Sequence, residues 1–215
     1  MNAARHAVYW APDADDPLWA AGCAWLGRDP AADETGSPPP DRHAPWRYGF
    51  HATLKAPMAL ARGQGPADLH AALWRVARRH RPFELPPLVV GRLHDFVALR
   101  LQHDCSALQA LADDCVRSLD PLRGATPPRH TEGLDGEQQA LLQRWGYPHV
   151  LQRWRFHLTL SDALPAAALE RVQRAAEMHF ADALRLPRRV RSVALFEEPA
   201  QGQPLRLTAR VAFGV

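Results

Sequence analysis

The sequence predicts an α+β fold made of two similar halves, and three observations lead to that prediction. The string RYGFHATL at 47–54 returns at 153–160 as RWRFHLTL, with Arg, an aromatic residue, Phe, His, Thr and Leu in the same register. Each copy alternates apolar and polar side chains, which is typical of a half-buried strand. Each copy is followed by a helical pattern and then by two further strand patterns. The chain therefore repeats the order strand, helix, strand, strand.

Local signals predict the elements of the first half. A strand is predicted over about 6–11, and Asp16 before Pro17 is typical of the start of a helix, which runs to Leu26. A long connection rich in Pro, Gly and Asp follows over 28–45. The remaining predictions are a motif strand over 47–55, a helix over 66–80, strands over 83–90 and 96–102, and a helix over 105–119 that ends at Pro121.

The second half begins with a turn-rich segment over 123–150, which contains a short helix near 137–145. A motif strand is predicted over 153–162, a helix over 165–184, and strands over 190–197 and 205–213. A duplicated chain of this kind most simply forms one domain over 1–215 with two pseudo-symmetric lobes. Each lobe would be a small antiparallel sheet with helices on its outer face. The two inner faces would line one central cleft, in which the motif strands face each other.

Composition limits the class of protein. The chain has 215 residues, of which 47% are hydrophobic and 23% charged, as is ordinary for a globular protein. The formal net charge of +3 is a mild basic excess, which suits a small anionic ligand but not a protein that coats nucleic acid. Cys23, Cys105 and Cys115 share no C-x-x-C spacing and are expected to be free thiols. No signal peptide or membrane span is expected, so we interpret the protein as cytoplasmic.

The polar faces of the two motif strands carry the candidate chemistry. His51 and Thr53 share one face of the first copy, and His157 and Thr159 share the matching face of the second. Two imidazoles across a cleft provide a general base and a general acid without a metal. The hydroxyls and nearby cations can donate to phosphate oxygens whose charge grows during phosphoryl transfer. Further candidate substrate contacts are Lys55, the only lysine, and Arg47, Arg153, Arg155 and Tyr9.

Other histidines raise the question of a metal site. The histidines in question are His43, His94, His103, His130 and His149. Their spacing matches no metal-binding template, and no Asp or Glu residues are clustered with them. No metal and no cofactor are therefore expected. The sequence predicts no oligomeric state.

At His51-Ala52-Thr53-Leu54 and His157-Leu158-Thr159-Leu160 the chain resembles the 2H phosphoesterase superfamily, with its paired H-x-T-L motifs. That resemblance implies a duplicated bilobal α+β fold, metal-independent cleavage of cyclic phosphodiesters, and the His and Thr of both motifs as the working groups. The longer strings 47–57 and 144–160 are similar to a bacterial branch often encoded with phosphonate-utilisation genes. This likeness alone implies the substrate, a phosphoribosyl cyclic phosphate opened to a ribose bisphosphate.

Two alternatives stay open beside hydrolysis of a cyclic sugar phosphate. A 2′,3′-cyclic nucleotide or RNA-end phosphodiesterase needs a stacking platform and a wider basic track. Trp46, Tyr48 and Trp154 could stack on bases, but the alternation directs Tyr48 and Trp154 to the core. A non-catalytic binder of phosphorylated ligands is the other alternative. The intact His and Thr of both copies argue against it, because a binder needs no proton transfer.

Overall fold

The computed structural model describes residues 4–32, 36–125 and 131–214. Within these ranges the chain forms nine strands and six α-helices in the order β1 (Arg5–Trp10), α1 (Pro17–Leu26), α2 (His43–Tyr48), β2 (Ala52–Met58), α3 (Pro66–Ala77), β3 (Phe83–Leu85), β4 (Leu88–Leu93), β5 (Phe96–Leu101), α4 (Ser106–Leu119), α5 (Gly136–Trp145), β6 (His157–Thr159), α6 (Ala166–Leu184), β7 (Arg188–Val190), β8 (Ser192–Glu198) and β9 (Arg206–Ala212). Short 3₁₀ turns cover Asp120–Leu122 and Leu151–Arg153. None of the helices in the described ranges is both long and apolar enough to span a membrane.

The strands form three antiparallel sheets. The first sheet has the order β2-β1-β8-β9, the second has the order β4-β5-β6, and β3 pairs with β7 in a two-stranded ribbon. The motif strands are therefore edge strands, β2 in the first sheet and β6 in the second, and they contact each other. The predicted α+β fold with small antiparallel sheets facing a cleft is confirmed.

Each sheet combines strands from both halves of the sequence. The first sheet takes β1 and β2 from before the second motif and β8 and β9 from after it. The second sheet joins β6 to β4 and β5, which come from the first half, with Ala98 opposite Thr159 and Arg100 opposite His157. Neither half of the sequence can therefore complete its own sheet. The two halves are interlocked, and the repeat in sequence is not a repeat of self-contained units.

The helices pack on the outer faces of the sheets. Helices α3 and α4 pack on each other and on the first sheet, and α6 packs on β4, β5 and α1. Their buried residues recur at helical spacing, as in Leu69, Leu73 and Val76 of α3, Leu108, Leu111 and Cys115 of α4, and Val172, Ala176 and Phe180 of α6. Burying one such Leu or Val side chain contributes about 1.5–3 kcal/mol. Because the helices cover the outer faces of the sheets, the inner faces remain available to line the cleft.

Several predicted boundaries are wrong. Arg47 and Tyr48 end helix α2 instead of starting a strand, because Gly49 has a φ of +79° and its N–H donates to the Pro45 carbonyl at 2.9 Å. The alternation of this short string does not separate a continuous strand from a helical end followed by a strand. The predicted strand over 83–90 is split at Pro86 and Pro87, which donate no ladder hydrogen bond. The second motif strand is also shorter than predicted, since only His157–Thr159 are paired.

Candidate active site

A cleft of about 390 Å³ lies between β2 and the inner face of the second sheet. Thr53 lines it from β2, and His157 and Thr159 line it from β6. His51 lies immediately before β2, with its Nε2 atom 3.2 Å from the Thr53 hydroxyl oxygen. The fold thus brings Thr53, His157 and Thr159 to one cleft, although more than a hundred residues separate the two motifs in sequence. His51 does not line the cleft itself but lies behind Thr53, close enough to His157 for the two rings to interact electrostatically.

The His51 ring is held from three sides. Its Nδ1–H donates to the Gly49 carbonyl at 2.9 Å, and the Tyr9 ring stacks on it with 3.7 Å between ring centroids. Thr53 lies on the other side, and it is the partner of Tyr9 across the β1–β2 pair. Gly49 permits this arrangement, because a Cβ at that position would stand 3.0 Å from the Pro30 ring and would strain a backbone with positive φ.

His157 repeats the same local arrangement. Its Nδ1–H donates to the carbonyl of Arg155 at 2.8 Å, as that of His51 donates to the carbonyl two residues before it. The Phe96 ring lies at 5.8 Å from the imidazole, centroid to centroid. Since a carbonyl accepts at each Nδ1, the neutral form of each ring carries its lone pair on Nε2. Both imidazoles therefore present the same atom for proton transfer.

Burial sets the charge of both rings. The pKa of His51 is lowered to about 4, chiefly because burial removes the hydration of its charged form, with a smaller contribution from the neighbouring His157 ring. Burial also lowers the pKa of His157 below its ordinary value, with a smaller contribution from the nearby His149 and Arg100. Both rings are therefore neutral at pH 7 without ligand. A phosphate anion between them would favour the protonated form of either ring, because an opposite charge stabilises the imidazolium.

Trp154 connects the two motif segments. Its indole N–H donates to the Thr53 carbonyl at 2.7 Å across 101 residues of sequence. The side chain is buried, as the alternation predicted, and its ring packs edge-on against Phe156. This hydrogen bond fixes the distance between β2 and the segment that leads into β6.

Lys55 does not line the cleft, contrary to the expectation from its spacing. The β1–β2 register shifts between Tyr9–Thr53 and Val8–Lys55, so this irregularity breaks the alternation after Thr53. The Lys55 side chain is only 3% exposed, and its ammonium group donates to Asp120 at 2.9 Å beside α4. A phosphate contact at Lys55 is therefore not supported by the geometry.

The remaining candidates differ in what they contact. Arg47 pairs with the buried Glu198, which also binds Arg5. Arg153 lines the cleft but binds Asp135 at 2.7 Å and also Glu137. Arg155 lines the cleft without a carboxylate partner among the described residues. Tyr9 is buried and serves as the stacking partner of His51, and burial raises the pKa of its hydroxyl.

Sequence reasoning missed several residues of the cleft. His94 and His149 line it, and Arg100 lies beside His157 on the neighbouring strand. No local pattern in the sequence relates these three residues to the motifs, so only the fold reveals their place beside His157. Among the described residues, no group of three or more His, Cys, Asp or Glu side chains is arranged to hold a metal ion. His130 lies outside the described residues.

Comparisons with known proteins place the chain in a family. It is 40% identical over 211 residues to a ribose 1,5-bisphosphate phosphokinase PhnN of Laribacter hongkongensis, covering 94% of this chain and 50% of that protein. It is 35% identical over 232 residues to the protein of the same name from Janthinobacterium sp., covering 97% of this chain and 51% of that protein. The chain thus spans about half the length of these curated relatives.

Among solved structures, E. coli LigT complexed with 3′-AMP has a TM-score of 0.48 at 16% identity, covering 99% of both chains. Kluyveromyces marxianus Usb1 has a TM-score of 0.36 at 12% identity, covering 96% of this chain and 98% of the other. A family model described as "Protein of unknown function (DUF1045)" matches residues 53–206, which is more than half of the chain. The chain therefore belongs to the DUF1045 family.

Proposed function

We propose that this chain hydrolyses a cyclic phosphodiester of a phosphorylated sugar, with His51 and His157 as the acid and base pair. Thr53 and Thr159 would bind the phosphate. One observation carries the proposal: Thr53, His157 and Thr159 line one cleft, His51 adjoins it through its contact with Thr53, and both imidazoles donate from Nδ1 to the carbonyl two residues earlier. Two identically oriented imidazoles at one small cleft suit a reaction that needs both a proton acceptor and a proton donor.

The reaction balances with these groups alone. One neutral imidazole takes a proton from water at Nε2 as the water oxygen attacks phosphorus. The other imidazole, protonated in the complex, gives its proton to the sugar oxygen as the phosphorus–oxygen bond of the ring breaks. The Thr53 and Thr159 hydroxyls donate to the two non-bridging oxygens. The product is a phosphomonoester, and the two rings regain their starting protonation states by exchange with solvent.

The substrate class follows from the relatives and from the resemblance together. Both curated relatives are named for ribose 1,5-bisphosphate. A segment homologous to this chain therefore occurs in proteins whose named activity concerns a phosphorylated ribose. The resemblance to the phosphonate-associated 2H phosphoesterases points to a phosphoribosyl cyclic phosphate. The phosphokinase activity in that name is a property of the relatives. The sequence of this chain has no G-x-x-x-x-G-K-[ST] motif, and its single lysine, Lys55, is paired with Asp120.

The test is hydrolysis of a panel of cyclic phosphates, followed by phosphorus NMR. We expect 5-phosphoribosyl 1,2-cyclic phosphate to be opened to a ribose bisphosphate. His51→Ala and His157→Ala should each lower kcat by about 10² or more, the usual scale for removing an acid or base. His70→Ala, which removes an exposed imidazole on α3, is the matched control. A chelator should leave the rate unchanged. Retained turnover in either His variant would refute the assignment.

A 2′,3′-cyclic nucleotide is the second candidate substrate, because aromatic side chains line the cleft. Phe96 and Tyr147 are partly exposed there, and a base can stack on such rings, whereas Trp154 is buried. The same panel separates the candidates, since 2′,3′-cyclic AMP would then be opened with a higher kcat/KM than the ribose compound. Tight binding of the panel without turnover would instead indicate a non-catalytic binder.

A further inference from the structure

The cations near the first motif are paired with carboxylates inside the protein. Arg5 and Arg47 both bind Glu198, whose side chain is fully buried. Lys55 binds Asp120 beside α4. These side chains are committed to holding β1, α2 and β2 in place. Their charged groups are consequently engaged in ion pairs within the fold, where they are poorly placed to attract a ligand.

On the opposite side of the cleft, basic side chains are exposed. We call four of these residues the basic rim: His94, Arg100, His149 and Arg155. Neither of its arginines has a carboxylate partner in the part of the chain that the structure describes. His94, His149 and Arg155 line the cleft itself, and Arg100 is the direct cross-strand neighbour of His157.

Arg100 is directed across the inner face of the second sheet. Because Arg100 and His157 are paired, their side chains lie on the same face, while Arg92 on β4 lies on the opposite face and donates to Gln173 of α6. The Arg100 side chain lies over Gly91, where an added Cβ would be in ordinary van der Waals contact with its Cδ at 3.6 Å and its Nη1 at 3.9 Å. The guanidinium donates to the Arg92 carbonyl at 3.2 Å and keeps its other N–H groups available.

Acidic groups near the basic rim do not pair with its arginines. Asp162 also lines the cleft, but it accepts from the backbone N–H groups of His43 and Ala44, at 2.9 and 2.7 Å, and from the His43 ring. Asp95 follows His94 in the β4–β5 turn, and Asp104 shares a neighbouring groove with Arg155. Neither forms an ion pair with the rim within the described ranges. Among the described residues, the two guanidinium groups of the rim thus remain unpaired cations next to the reaction centre.

We propose that the basic rim binds a second anionic group of the substrate, a terminal phosphomonoester that lies beyond the cyclic phosphate. The inference rests on the proposed function, because the cyclic phosphate must occupy the His-Thr pairs. That phosphate carries a single negative charge and already meets two imidazoles and two hydroxyls. A phosphomonoester carries nearly two charges and several acceptor oxygens, which suits two arginines and two imidazoles. The rim would therefore select doubly phosphorylated sugars.

The test compares ribose 1,2-cyclic phosphate with its 5-phosphorylated form. The wild-type protein should show a higher kcat/KM for the phosphorylated compound, chiefly through KM. Arg100→Ala and Arg155→Ala should each lower the ratio of the two kcat/KM values by about tenfold, as expected for losing a charge-assisted hydrogen bond. Arg92→Ala, which removes an arginine from the other face of the same sheet, should leave that ratio unchanged. Equal ratios in all four proteins would overturn the proposal.

A binding measurement keeps the rim testable apart from catalysis. If the wild-type protein hydrolyses neither compound, the proposed function fails, and calorimetric titration of the same two compounds still decides the subsite. The rim predicts tighter binding of the 5-phosphorylated compound, and it predicts that Arg100→Ala and Arg155→Ala weaken this binding by about tenfold. Binding that does not depend on the terminal phosphate, or on either arginine, refutes the rim as a subsite.

Discussion

At the scale of single residues, the main chain controls the two histidines. Each ring donates from Nδ1 to the carbonyl two residues before it, so the backbone conformation that precedes each motif strand orients the imidazole. The first of these conformations depends on Gly49 with its positive φ. The rings differ in their surroundings, since His51 stacks on Tyr9 and His157 lies near Arg100 and His149. Burial lowers both pKa values.

These pKa values predict an acidic optimum for kcat/KM. The free enzyme needs one neutral and one protonated imidazole, and kcat/KM reports the pKa values of the free enzyme. Because both lie below the ordinary value of 6.5, the protonated imidazole is lost as pH rises, so kcat/KM should be highest below pH 6.5 and decline above it. The bound anion favours the imidazolium, so kcat should peak at higher pH than kcat/KM.

The pH dependence of kcat and of kcat/KM is measured by steady-state kinetics between about pH 4 and 9. The substrate should lack a terminal phosphate, so that the substrate itself does not change its protonation state in this range. His157→Ala should lose one limb of the bell-shaped profile. A kcat/KM that keeps rising above pH 8 would contradict the acid and base assignment.

At the scale of elements, helix α1 positions the first motif through one close contact. Gly22 of α1 packs against the ring of Phe50, the fully buried residue that precedes His51. A Cβ at Gly22 would overlap that ring. The Trp25 indole N–H on the same helix donates to the Leu160 carbonyl at 2.8 Å, directly after β6. One helix thus supports both motif segments from behind.

Gly22→Ala should therefore destabilise the fold and lower activity together. Overpacking of this kind costs about 1–3 kcal/mol, and displacement of Phe50 would move His51 away from Thr53. Urea unfolding measures the loss of stability, and kcat measures the displacement. Gly136→Ala at the start of α5 is the control, because nothing lies within 4 Å of an added Cβ there. A Gly22→Ala protein with wild-type stability and kcat would show that the contact does not position the site.

At the scale of the whole molecule, the cleft is held by the interlocked sheets and by one hydrogen bond between them. Strands β8 and β9 complete the sheet of the first motif, and β4 and β5 complete that of the second. The bond from the Trp154 indole to the Thr53 carbonyl joins β2 to the segment before β6. The width of the cleft is thus a property of the assembled chain and not of either motif.

Trp154→Phe tests whether that bond sets the spacing of the two threonines. Loss of this hydrogen bond should lower the free energy of unfolding by about 0.5–1.5 kcal/mol. If the spacing changes as well, kcat for a cyclic phosphate should fall. Trp74→Phe is the matched control, since Trp74 on α3 is 50% exposed. An unchanged kcat in a destabilised Trp154→Phe protein would show that the bond stabilises the fold without positioning the site.

Local pattern alone determined the repeated His and Thr residues, most helices and strands, and the α+β class, because spacing along a chain decides which side chains share a face. Tertiary structure alone decided the rest. The exchange of strands between the two halves, the pairing of Lys55 with Asp120, and the gathering of Arg100 and His149 beside His157 all join residues that are distant in sequence. A strand irregularity turned Lys55 away from the cleft, and such a shift arises from the pairing of two strands, which the pattern of one strand does not record.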